Sequence, residues 1–220
     1  MLFRSWRISW FRFPIALLFM AIHRVMVRRF PSVQFAKLLG TGKGKTFNLN
    51  DADLTRWGLL VTIENSKLNQ FENSQVIKQW RKISQTEFRV LLKPISAHGK
   101  WSKKTPFTFQ SDSLTSQSNE VAAITRARIK WHENFRFWRS VPPVTTSLHN
   151  SDGLLSAIGI GEAPIGLQGT FSIWRDQNAL RQFAYKDAPH QKVIAKTKEL
   201  DWYAEEMFAR FQVLEKRGVL

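Results

Sequence analysis

The chain has no cysteine in its 220 residues. Disulfides, thiolate metal sites, iron–sulfur clusters and a cysteine nucleophile are therefore excluded. Carboxylates are scarce: 17 Asp and Glu stand against 33 Lys and Arg, a formal net charge of +16. Such an excess favours anionic partners (nucleic acid, anionic lipid or an acidic protein), and is equally the mark of a plain solvated basic surface. Long apolar runs are missing too. The uninterrupted run near the N-terminus, Pro14–Ile22, is nine residues, against the roughly 20 that a membrane span needs. Arg4, Arg7 and Arg12 precede it as in a signal peptide, but His23 and Arg24 stand where a small-residue cleavage site belongs. The stretch therefore reads as a strand over 7–13 followed by an amphipathic basic helix over 14–30.

Familiar chemical motifs are absent as well. There is no H-x-x-x-H or H-E-x-x-H, no G-x-G-x-x-G and no G-x-S-x-G, so structural zinc, a Rossmann nucleotide site and a nucleophile elbow find no support. "LGTGKGKTF" (39–47) imitates a phosphate-binding loop, but the pattern needs glycine where Leu39 stands. A strand-to-strand loop is the plainer reading.

What is present is an internal repeat. "FAKLLGTG" (35–42) matches "LLSAIGIG" (154–161), "SKLNQF" (66–71) matches "NALRQF" (178–183), and "FRVLLK" (88–93) matches "FQVLEK" (211–216), in the same order. The first half then reads as strands near 7–13, 33–40, 57–64 and 86–95, with helices at 14–30 and 66–83. The second half reads as strands near 121–129, 154–160, 168–174 and 209–216, with helices at 132–140 and at 177–206, broken near Pro189. Each half has the order βαββαβ of a split ferredoxin-like unit. The fold class is α+β: tandem ferredoxin-like repeats, 1–104 and 121–220, joined by a Ser/Thr/Gln-rich linker at 105–120, pack sheet against sheet as an α+β barrel. The matches are offset by 119, 112 and 123 residues, so the second half gains 11 residues between Phe183 and Phe211. That enlarged region contains "DAPH" (187–190).

Asp187 is a candidate N-cap and Pro189 suits a first helical turn. His190 is followed by Val193, Ile194 and Thr197 at helical spacing, which puts its imidazole on an apolar stripe. By spacing alone an ordinary packed or capping histidine is the plainer reading; a metal ligand is the alternative. Ferredoxin-like sheets also raise RNA binding, but "RWGLLVTIE" and "GTFSIWRD" lack the exposed aromatics of RNA-recognition strands. A nucleic-acid partner is not expected.

Six stretches together resemble the spheroidene monooxygenase (acyclic carotenoid ketolase) family: "VQFAKLLGTGKGKTF" (33–47), "FRVLLKPISAHGKWSKKTPF" (88–107), "AAITRARIKWHENFRFWRSVPPV" (122–144), "LLSAIGIGEAPIGLQGTFSIWRD" (154–176), "FAYKDAPHQKVI" (183–194) and "WYAEEMFARFQVL" (202–214). The resemblance implies an O2-dependent oxygenase that introduces a keto group into an acyclic carotenoid, with haem and an external electron donor such as ferredoxin. It implies His190 as the haem ligand, with Arg139 serving the cofactor. It implies Arg126 and Trp101 at the catalytic pocket, Arg126 polarising oxygen or serving a propionate and Trp101 lining the wall. A structural ion pair for either arginine and core packing for Trp101 stand beside those roles. The implied location is cytoplasmic, peripheral to the inner face of a membrane. The helix at 14–30 fits both an anionic lipid surface and a sheet to pack on. The competing function is a non-catalytic barrel module binding a hydrophobic ligand or nucleic acid.

Overall fold

The computed structural model describes residues 1–45, 51–109, 119–130, 145–162, 167–186 and 203–220. Eight strands carry the fold: β1 (Leu2–Ile8), β2 (Val33–Gly42), β3 (Ala52–Ile63), β4 (Ser84–Gly99), β5 (Val121–Ile129), β6 (Leu154–Gly161), β7 (Leu167–Trp174) and β8 (Tyr203–Arg217). The helices include α1 (Phe13–Arg28), α2 (Asn65–Glu72), α3 (Gln75–Ile83) and α4 (Gln177–Lys186), and residues 145–149 are helical as well.

Within the first half the hydrogen-bonded order is β4-β1-β3-β2; within the second it is β8-β5-β7-β6. Both are the ferredoxin-like arrangement expected from the repeat. Pairing of β2 with β6 and of β4 with β8 joins the two sheets into a closed antiparallel barrel. Closure removes the four sheet edges that the separate halves would expose. The repeated glycine motifs meet each other: Gly40 lies opposite Gly161 and Gly42 opposite Gly159. Equivalent residues exchange partners there, as a two-fold relation between the halves requires.

Strand alternation sorts the side chains. Phe3, Phe35, Leu39, Leu60, Val90, Ile124, Ile158, Phe171 and Phe211 fill the barrel, with Phe3 and Phe171 stacked at 4.2 Å. The barrel interior is therefore a packed core. Leu2, Trp6, Leu38, Leu59 and Val61 point outward and are covered by Ala16 and Val27 of α1 and by Ile77 and Trp80 of α3. On the second half Ala179 and Leu180 of α4 cover Val121, Ala123 and Trp174.

Several expectations shift. The first strand lies at Leu2–Ile8 and not at 7–13, and Trp10–Arg12 form a 3-10 turn leading into α1. The misleading residue was Arg4, fully buried on the outer face, where Glu72 and Glu87 take its guanidinium. The helix expected over 66–83 divides at Asn73 and Ser74, where Ser74 is extended (φ −66°, ψ 158°). The helix expected to reach 206 does not: Tyr203–Glu206 belong to β8. Of the expected linker, Phe107 packs inside the barrel. The helix expected at 132–140 and the "DAPH" segment lie outside the described residues.

Candidate active site

Four charged side chains sit on strands whose other inward residues are apolar. Lys37 follows Phe35 and precedes Leu39 on β2; Arg126 follows Ile124 on β5; Glu205 precedes Met207 on β8; Glu162 directly follows β6. Alternation directs all four to one end of the barrel interior. Burying charges is costly unless each is matched, and here each is. Glu162 accepts from Trp101 Nε1 at 2.6 Å, from Arg126 Nη2 at 3.1 Å and from the Lys37 ammonium. Arg126 Nη1 donates to Glu205, and Lys37 Nζ donates to Ser102 Oγ at 2.5 Å. The Arg126 guanidinium also lies 5.6 Å from the Trp101 ring centroid, within cation–π reach.

Ionisation follows from these contacts. Burial pushes the Lys37 ammonium below its usual range, and Glu162 only partly restores it. Burial alone would raise Glu205, but the backbone amides of Lys103 and Ser102 and the Arg126 guanidinium hold it below the usual carboxylate range. The two amides reach it at 2.7 and 2.9 Å. To present them, Ser102 and Lys103 adopt φ of 54° and 62°, a left-handed turn closed by pairing of Trp101 with Lys104. The cluster thus ties the segment after β4 across the end of the barrel.

Beneath that segment is a cleft of about 330 Å³, lined by Ala97 and Gly99 of β4, Met207 of β8 and Thr105, Phe107, Thr108 and Phe109. The volume is at the low end for ligand pockets. Its walls carry methyl, thioether and phenyl groups, two threonine hydroxyls and no charge. Phe107 links cleft to cluster: its ring lies edge-on to Trp101 at 6.5 Å and to Phe211 at 5.0 Å. Phe107 thus separates the cleft from the ionised groups by one aromatic layer.

Trp101 and Arg126, which the sequence singles out, therefore come together. His190 and Arg139 lie outside the described residues. Lys37, Glu162 and Glu205 were missed, although a lysine in "FAKLL" and a glutamate in "AEEMFA" are charges on the apolar phase of a strand, a signal readable in advance. The described residues do not by themselves make a haem site, since none offers an imidazole at this cluster. His23 lies outside the barrel against Phe19 and Trp80, His98 is exposed on β4, and His149 bonds the Gly44 carbonyl.

No protein-family model matches the chain. Among curated proteins, the spheroidene monooxygenase of Rhodobacter capsulatus is 35% identical over 190 residues, covering 86% of this chain and 78% of that one. Those of Rubrivivax gelatinosus and Cereibacter sphaeroides are 34% and 31% identical, and the chain spans 72% and 61% of their lengths. A solved structure from Fusobacterium nucleatum aligns over 99% of this chain and 93% of its own at 14% identity and a TM-score of 0.45, too remote to carry an argument. At 31–35% identity over most of its length, the chain belongs to the spheroidene monooxygenase family and is an enzyme, an oxygenase.

Proposed function

We propose that the chain oxidises an acyclic carotenoid of the spheroidene type, converting a methylene carbon to a ketone with O2. Two hydroxylations occur at one carbon. Each inserts one oxygen atom of O2 and reduces the other to water with two electrons from an external donor such as ferredoxin and two protons from solvent. The resulting gem-diol loses water. Haem, which His190 would ligate and Arg139 would serve, belongs to the proposal and would supply the oxygen activation. The residues described here do the remaining work. Phe107, Phe109 and Met207 take the polyene terminus and exclude water, since the cleft admits an end of the chain and not its whole length. Lys37, Arg126, Glu162, Glu205 and Trp101 hold the covering segment in place.

The observation that carries this reading is the identity to the Rhodobacter capsulatus enzyme over most of the chain. Co-expression with an acyclic carotenoid pathway tests it. The expected product has gained one oxygen and lost two hydrogens; unchanged carotenoids beside folded protein would overturn it. The haem component has its own readout: a Soret band that forms on haem addition and is lost in His190→Ala.

A further inference from the structure

Helix α1 carries two apolar stripes, and the barrel uses only one. Ala16, His23 and Val27 are buried against the sheet and α3. Phe11, Ile15, Leu18, Ile22, Val25 and Met26 recur at i, i+4, i+7, i+11, i+14 and i+15, which places them on a single second face. That face is open to solvent: Phe11 is 91% exposed, Leu18 56% and Ile22 48%. Counted as a helix and not as an uninterrupted run, Trp10–Arg28 spans 19 residues, long and apolar enough to cross a membrane by length and composition.

Charge decides what covers the face. The first 50 residues contain nine Lys and Arg and no Asp or Glu. Exposed Arg12 and Arg28 lie to either side of the stripe and exposed Arg29 at its C-terminal end. A second copy docked symmetrically would bring like charges together. An anionic bilayer would receive both the apolar stripe and the arginines. The inner stripe fixes how the helix meets it. His23 Nε2 bonds Gln79 Oε1 at 2.7 Å and its ring stacks on Phe19 at 4.4 Å, so α1 stays flat on the barrel and cannot stand upright without abandoning these contacts.

We infer that the exposed face of α1 is a docking surface for anionic phospholipid, with the helix lying in the interfacial plane. The inference stands apart from the proposed substrate and concerns the fold whatever the cleft accepts. Co-sedimentation of the full chain with phosphatidylglycerol–phosphatidylcholine vesicles tests it. Wild type is expected to pellet with these and to stay soluble with phosphatidylcholine alone. Leu18→Glu/Ile22→Glu should abolish pelleting. Arg28→Gln/Arg29→Gln, which leaves the apolar stripe intact, should weaken partitioning about thirtyfold. It also serves as the informative variant if the glutamates impair folding. Four results would overturn the inference: wild type left in the supernatant, equal binding to both vesicles, a dimer dissociated by Leu18→Glu/Ile22→Glu, or resistance to alkaline extraction, which marks a spanning helix.

Discussion

Replacing Glu162 by Gln keeps the shape of the buried cluster and removes one charge from it. Three groups feel the change. Trp101 and Arg126 can still donate to the amide oxygen, and Arg126 retains Glu205. Lys37 retains Ser102 and the face of Phe35, with its side chain 6% exposed. Stranding one member of a buried pair costs about 3–5 kcal/mol, and the surviving neutral acceptor favours the lower figure. At about 2–4 °C per kcal/mol for a chain of this size, the melting temperature should fall by about 6–12 °C. Glu162→Gln/Lys37→Met removes the stranded ammonium as well. In thermal denaturation of the four proteins of this cycle, the double variant should be less destabilised than the sum of the singles by at least about 1 kcal/mol. Additive losses, or a melting temperature unmoved by Glu162→Gln, would refute the assignment of Lys37 and Glu162 as a coupled buried pair.

Three further outcomes follow from the same geometry. Gly169→Ala would put a Cβ 2.3 Å from the Thr125 carbonyl oxygen and 3.1 Å from Arg126 Cβ, so thermal unfolding should show a loss of about 1–3 kcal/mol. Phe107→Ala empties the layer between cleft and cluster, and denaturant unfolding should register about 3–5 kcal/mol. The depressed carboxyls of Glu205 and Glu72 bind protons more weakly folded than unfolded. Their stabilisation is complete above the ordinary glutamate range, about pH 4.3, and is lost as pH falls through their lower folded values. In acid titrations followed by tryptophan fluorescence, Glu205→Gln should show a smaller loss of stability over that window than wild type.

The repeat made the architecture legible, because two copies of one βαββαβ pattern have few ways to bury their sheets. The meeting of Gly40 with Gly161 was implicit in the matching glycines. Element boundaries failed where tertiary contacts overrode local signals. Arg4 reads as solvent-facing until Glu72, from a helix far along the chain, is seen above it. Tyr203–Glu206 read as helix until the amides of Ser102 and Lys103 are seen on Glu205. The candidate site was half legible for the same reason. All five residues lie in stretches resembling the family, but the resemblance implied roles only for Trp101 and Arg126; Lys37, Glu162 and Glu205 come from β2, the end of β6 and β8, which only barrel closure brings together.

The two junctions between the repeats are unequal. Strands β4 and β8 are laced from Arg89 to Gly99, whereas the ladder of β2 with β6 runs only through Gly40–Gly42 against Gly159–Gly161, where two glycines on each strand bring no side chain and the Lys37–Glu162 pair lies beyond its end. The cylinder is accordingly a clamshell, with a strong spine along the first junction and a weak clasp at the second. Transient gaping should start at the clasp, where amide hydrogens around Thr41 and Ile160 would be the earliest among the ladder to exchange with solvent.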